Sequence, residues 1–173
     1  MRFFFYGTLL DPDVRWLVLP HCFERLALRP AALTGWRRVQ ARHGCFPVVR
    51  RQPGGRVAGL LVEGIDRAGL HRMAHFEGDG YTVGRIAVAA GDRSFESHLF
   101  LPERPALCLA AGWSLEAWQR RHKRRFLPRV RRWMGEFGAA GPWSADLSWH
   151  ARRRLAAIAR ETKSARAALR LAA

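Results

Sequence analysis

The chain is poor in cysteine, in acidic residues and in lysine, and each shortage narrows what it can be. Cys22, Cys45 and Cys108 are its three cysteines; their odd number, wide spacing and lack of a C-x-x-C pair exclude a disulfide framework and a thiolate zinc site. They read as small apolar fillers in a reducing compartment, so a cytoplasmic location is expected. No run of about 18 apolar residues occurs, which excludes a spanning helix and leaves no membrane partner. Met1-Arg2 leads at once into Phe3-Phe4-Phe5-Tyr6 without a small-residue cleavage site. That pattern predicts a buried strand and not a signal peptide.

Nucleotide and metal signatures are also missing. There is no P-loop, and Gly78-Asp79-Gly80-Tyr81-Thr82-Val83-Gly84 has its last glycine one residue late for a dinucleotide loop, with no helix opening there. His71 and His75 are spaced i, i+4 but lack the intervening glutamate and a third ligand, so two surface histidines are expected there. Neither a metal nor another cofactor is called for, and no catalytic triad suggests itself.

What the chain does have is apolar content and positive charge. Apolar residues make up 49% of 173, enough for one domain with a proper core. Lys and Arg number 30 against 14 acids, a net charge of +16, and 28 of the 30 are arginine. Residues 113–173 hold 15 of the basic residues and 4 acids, a net of +11. Such a segment attracts polyanions by counterion release. The expected result is a solvated helical face with weak, non-specific nucleic-acid binding.

Residues 2–6 read as a strand ending at Gly7. Asp11-Pro12 starts a helix, since Asp caps free N–H groups and Pro fits the first turn; the helix stops by Pro20. Strands are expected at 31–40, 45–50 and 57–62, with turns at His43-Gly44 and Gln52-Pro53-Gly54-Gly55. Asp66 opens a short helix through His75 with Leu70 and Met73 on one face, and the Gly-rich segment 76–81 ends it. Residues 83–90 and 93–101 alternate about Gly91-Asp92 as a hairpin. Beyond Gly112, Ser114 caps a helix bearing Leu115, Trp118, Phe126, Val130 and Trp133, which Pro128 should kink or end. A linker at 138–142 and a second Arg-rich helix from Asp146 complete the chain. The expected division is a domain over 1–137 and a basic helical extension over 138–173.

Two segments carry chemistry. A glycine directly after a strand, in Tyr6-Gly7-Thr8-Leu9, lets the backbone turn tightly and present N–H groups to a carboxylate or phosphate. In Phe76-Glu77-Gly78-Asp79-Gly80-Tyr81, a carboxylate between an aromatic and glycines has a partly apolar setting that raises its pKa and suits it to acid-base work.

The order of these segments resembles the gamma-glutamylcyclotransferase-like superfamily. Phe4-Phe5-Tyr6-Gly7-Thr8-Leu9-Leu10 is similar to its opening strand and Tyr-Gly-Thr-Leu loop, and Gly35-Trp36-Arg37-Arg38 to its Gly-aromatic-Arg-Arg strand. Phe46-Pro47 and Val57-Ala58-Gly59 match the elements that follow, and residues 73–81 resemble Leu-Asp-x-Phe-Glu-Gly-x-x-Tyr. Trp113 to Trp118 looks like the helix closing the family's domain. Ala74 departs from the Leu-Asp pair, and Val83 replaces a commonly basic residue, with Arg85 nearby.

The resemblance implies an α+β fold: a small mixed β-barrel with short flanking helices, here with a helical C-terminal extension. It implies cyclisation of a gamma-glutamyl amine or peptide to 5-oxoproline with release of the amine. Glu77 would be the general acid-base residue, with Tyr6, Gly7, Thr8, Leu9 and Tyr81 binding the substrate. The partner would be a small gamma-glutamyl compound. Two other classes stay open at this point: a non-catalytic small-anion-binding module of the same fold, and a nucleic-acid binder working through its basic C-terminal helices.

Overall fold

The computed structural model describes residues 1–42, 44–78, 80–103 and 108–137. Strand β1 (Phe3–Phe5) leads through a 3₁₀ turn (Thr8–Leu10) into helix α1 (Pro12–Val18). Two long strands follow, β2 (Ala27–Ala41) and β3 (Pro47–Glu63), then helix α2 (Arg67–Glu77). The hairpin β4 (Tyr81–Ala90) and β5 (Arg93–Pro102) precedes the short β6 (Cys108–Gly112). Helix α3 (Leu115–Trp118) then passes through a π-helical turn (Gln119–Lys123) into α4 (Arg124–Glu136). No helix among the described residues is long and apolar enough to cross a membrane.

The strands run in the order β3-β1-β5-β4-β2-β6, and an added β2–β3 pairing closes the first five into a barrel. β1 lies parallel to β5, with Phe3 opposite His98, and the other pairings are antiparallel, so the barrel is mixed. All three residues of β1 are buried. Because strand side chains alternate, Phe4 joins Tyr6, Leu33, Val57, Leu61 and Leu99 in one cluster. Phe3 and Phe5 instead pack with Val14, Val18, Leu70, Met73 and Trp118, toward the helices. A strand covered on both faces needs the unbroken apolar run seen at 3–5.

The three central strands expected from the sequence are two. Pairing of β2 with β3 runs from Ala27 opposite Glu63 to Gln40 opposite Pro47. Thr34 faces Arg56 and Trp36 faces Arg51, so Gln52 to Gly55 sit opposite Gly35 alone. The expected turn at 52–55 is therefore a large bulge within one continuous hairpin. Its backbone needs glycine: Gly35 and Gly54 have φ of 80° and 71°. A Cβ on Gly55 would lie 2.5 Å from the Trp36 carbonyl oxygen. The β4–β5 hairpin follows expectation, and Gly91 at φ 58° starts its turn.

Asp11 behaves as the sequence predicts and does more. Its Oδ1 accepts from the N–H groups of Asp13 and Val14 at the start of α1. Its Oδ2 accepts from Gln119 Nε2 at 2.7 Å and Lys123 Nζ at 2.7 Å, tying α1 to the last helix. Pro128, expected to kink or end that helix, does not end it. An interior proline costs about 3 kcal/mol, but Val130 and Met134 are buried beyond it and hold the second half against the core. The linker at 138–142, the helix from Asp146 and the division at 137 lie outside the described residues.

Burial works to raise the Asp11 pKa, but bonds from Lys123, Gln119 and the Val14 N–H outweigh it and hold the carboxyl below its usual range. Asp11→Ala removes a helix cap and the buried acceptor of Gln119 and Lys123, leaving Lys123 only Asp13, so unfolding free energy should drop by about 2–4 kcal/mol. A folded pKa below the unfolded one gives stability that is complete above about 3.9 and lost as pH falls through the folded value. The stability gap between wild type and Asp11→Asn should therefore close on acidification below about pH 4, as measured by denaturant titration.

Candidate active site

Helix α2 runs two residues past the expected end at His75, because Gly78 and not Phe76 is the first residue that breaks it. Gly78 has φ 68° and ψ −170°, a region open essentially to glycine alone, and its N–H bonds the Ala74 carbonyl at 3.1 Å. Leu70, Met73 and Glu77 fall at i, i+3 and i+7 on one helix face. The first two are buried. Glu77 thus prolongs the apolar stripe and is carried inward with it.

Across from Glu77 the chain leaves β1 at Phe5 and turns. Tyr6 Oη donates to the Phe100 carbonyl at 2.6 Å, and Arg38 Nη1 donates to the Tyr6 carbonyl at 3.0 Å. The Gly7 and Thr8 carbonyls accept from the N–H groups of Leu10 and Asp11. Arg15 Nη1 donates to the carbonyls of Leu9 (2.8 Å) and Leu10 (3.1 Å). Every carbonyl from Tyr6 to Leu10 is therefore engaged. Thr8 and Leu9 open a 3₁₀ turn, where N–H groups have no intrahelical acceptor. Gly7 has φ −117°, so the turn is not left-handed. A Cβ there would crowd Pro47 Cγ at 3.2 Å, so a larger side chain must push the proline aside.

Between these elements lies a cavity of about 230 Å³. Tyr6, Gly7, Thr8 and Leu9 form one side, Phe76 and Glu77 another, and Phe46, Pro47, Tyr81 and Phe100 a third. All six site residues expected from the sequence thus line one cavity. Tyr81 sets its ring edge-on to Phe46, with centroids 6.5 Å apart. Phe126, Arg129, Val130 and Trp133 of α4 complete the lining. These four were not anticipated as site residues: Phe126, Val130 and Trp133 read as a packing stripe, and Arg129 as one charge among many.

Glu77 is half-buried, and its exposed part lines the cavity. Its carboxyl has no hydrogen bond or ion pair among the described residues. Burial pushes its pKa up to about 8, and the negative end of α2 acts in the same direction. Arg129 lines the same cavity without offsetting that rise.

Of the two α2 histidines expected on the surface, His71 is buried and His75 is partly exposed. Burial, with the charge of Arg67, lowers the His71 pKa. The His75 ring stacks on Trp133 at 4.4 Å, and its Nε2 bonds the Trp133 carbonyl. Trp133 Nε1 in turn donates to the His75 carbonyl at 3.0 Å. The His75 ring is thus turned toward α4. Among the described residues, His21, Cys22 and Asp66 bring possible metal-binding atoms within 4.8 Å of one another. Asp66 is already committed, accepting from the Gly69 N–H to cap α2 and meeting His21 at 3.0 Å, with Arg25 at 4.0 Å. We read that group as a capped ion pair and not a metal centre.

The class of protein this defines is a closed mixed barrel with a small pocket, in which a lone carboxyl faces a turn rich in free N–H groups. The chain belongs to the gamma-glutamyl cyclotransferase, AIG2-like family, whose model matches residues 3–120. It is 24% identical over 133 residues to Protein AIG2 C of Arabidopsis thaliana, covering 75% of this chain and 78% of that protein. AIG2-like protein A of the same plant is 24% identical over 135 residues, covering 76% and 79%. The fold is shared with an Arabidopsis protein solved in solution, at TM-score 0.55 and 21% identity over 85% of this chain and 89% of that one. A human protein known from its crystal structure gives TM-score 0.53 at 17% identity over 89% and 96%.

The Glu77 setting has a measurable consequence for stability. The folded state holds this proton more tightly than the unfolded chain, whose carboxyl titrates near 4.3. Ionisation therefore costs stability progressively as pH rises from about 4.3 to about 8. Glu77→Gln carries no such cost. The variant should melt at a higher temperature than wild type at pH 8–9, with the difference fading toward pH 4–5; a difference constant across pH would place the carboxyl in water.

Proposed function

We propose that this chain is a gamma-glutamylcyclotransferase-type enzyme. It converts a gamma-glutamyl amine or peptide to 5-oxoproline and releases the amine. The observation that carries this reading is a carboxyl, without a hydrogen bond or ion pair among the described residues, that lines one small cavity with the Gly7–Leu9 turn; its burial raises its pKa to about 8. Family membership supports the reaction class.

In this reaction the substrate's α-nitrogen attacks its own γ-carbonyl carbon. An N–C bond closes the five-membered lactam as the C–N bond to the departing amine breaks. No water, metal or nucleotide is consumed. Glu77 as carboxylate takes a proton from the attacking nitrogen, and as carboxylic acid returns it to the departing one. A group that does both works best with a pKa near the operating pH, and about 8 meets that condition where an ordinary glutamate does not. The N–H groups of Gly7, Thr8 and Leu9 hold the substrate's α-carboxylate. That contact fixes the chain so the α-nitrogen reaches the carbonyl within a near-attack geometry. Tyr81 closes the apolar side. The partner is this small molecule, the expected compartment is the cytoplasm, and polyanion binding through the C-terminal arginines is weak and non-specific.

Glu77→Gln preserves size but cannot take the proton. Release of 5-oxoproline from a panel of gamma-glutamyl peptides and amines should fall about 10²–10⁴-fold while binding persists; activity within a few-fold of wild type removes Glu77 from the mechanism. Failure of wild type to release 5-oxoproline from any of them would make the protein a binding module.

The loop gives a separate test. Gly7→Val drives a branched side chain against Pro47 and into the ligand's side of the turn. It should abolish 5-oxoproline binding by calorimetry at concentrations that saturate wild type, with the circular dichroism of the barrel retained. Full binding by a folded Gly7→Val protein would move the carboxylate elsewhere.

A further inference from the structure

The family match ends at residue 120, yet one wall of the cavity comes from the helix beyond it. Phe126, Arg129, Val130 and Trp133 fall at i, i+3, i+4 and i+7, which makes them a single face of α4. That face turns to the cavity three apolar side chains and one cation. It is held rigidly, since Trp133 exchanges bonds with His75 and Lys123 meets Asp11 at 2.7 Å and Asp13 at 2.8 Å. Arg129 has no hydrogen bond or ion pair among the described residues, and Glu77 is not its counter-ion. Arg129 is exposed at the rim of this largely apolar pocket, where its guanidinium can reach an anion brought by the ligand.

The ligand's glutamyl half already has its contacts on the cyclotransferase reading, on which this inference rests: the turn at 7–9 for its carboxylate and Glu77 for its amine. That half is common to every substrate and is met by the part of the chain the family shares. The departing half varies, and the wall left for it is α4. We propose that α4 selects the departing amine, and that this amine is an amino acid with a large apolar side chain. The side chain packs on Phe126, Val130 and Trp133, and the carboxylate meets Arg129.

The test compares three substrates: γ-glutamyl-phenylalanine, γ-glutamyl-glycine, and γ-glutamyl-phenethylamide, which keeps the ring and lacks the carboxylate. Wild type should favour γ-glutamyl-phenylalanine over γ-glutamyl-glycine by about 10–100-fold in kcat/KM, the effect of burying one aromatic side chain. It should favour the acid over the phenethylamide by about tenfold, the effect of one charge-assisted contact. In Arg129→Gln the second preference should fall to near unity while the phenethylamide is turned over as before. Equal turnover of the phenylalanine and glycine substrates overturns the proposal. So does an Arg129→Gln protein that loses activity equally on all three, because Arg129 would then bind the glutamyl carboxylate. If wild type cyclises none of them, the catalytic reading fails separately. The three compounds are then titrated calorimetrically into Glu77→Gln: a preference for γ-glutamyl-phenylalanine sustains the α4 assignment, and equal or absent binding ends it.

Discussion

Asp11 has no exposed surface, and the arrangement of the whole site passes through its two oxygens. One oxygen fixes the first turn of α1 and the other receives Gln119 and Lys123 from the π-helical turn. Through α1 it sets Arg15, whose guanidinium holds the Leu9 and Leu10 carbonyls away from the cavity. Through Lys123 it sets the start of α4, which forms the opposite wall. A buried carboxylate is costly unless it is fully paired, and here four donors meet it from two elements. The geometry is specified because losing either element would leave that charge unsatisfied.

Glu77 is the opposite case in the same small domain. It has no donor and no counter-charge among the described residues, so burial raises its pKa to about 8, whereas the bonds to Asp11 hold that carboxyl low. The contrast follows from position. Asp11 precedes a helix, where free N–H groups solvate a carboxylate, and Glu77 ends one, where only carbonyls are free. Stability has to be drawn from elsewhere to keep a destabilised acid at the end of α2. The His75–Trp133 stack and the Asp66 cap supply part of it at the two ends of that helix.

Much of this was legible in order and little of it in depth. The Tyr6–Leu9 loop and Glu77 could be singled out because glycines stand beside them, and glycine positions report backbone demands directly. The stripe from Leu70 through Met73 extends to Glu77 by simple helical spacing, so its inward direction was also readable, had the helix been carried to Gly78. Residues 52–55 misled because Pro-Gly-Gly composition marks a departure from regular pairing without saying whether the chain reverses or bulges; the long-range pairing of β2 with β3 decided that. The histidines of α2 misled for a related reason. The partner of His75, Trp133, lies on another element, and spacing within one helix cannot reveal it.

The apolar face of α4, legible as a packing stripe, is set by the π-helical turn. In an unbroken α-helix a residue advances about 100°, so the face begun by Trp118 would pass through His122, Arg125, Arg129 and Arg132, a cationic strip with no place against a core. The π turn at 119–123 spreads one extra residue over its length and sets the face back by that amount. Phe126, Val130 and Trp133 then follow Trp118, which is why Trp118 can meet Phe126 edge-on with ring centroids 5.2 Å apart. Arg125, Arg129 and Arg132 are all exposed as a result. Arg129 stays at the margin of the new face, at the cavity and not in the core. One irregular turn thus converts an arginine-rich helix into an apolar wall with a single charge at its edge. The same turn carries Gln119 and Lys123, so the Asp11 carboxylate that orders the site also fixes the irregularity that builds its last wall.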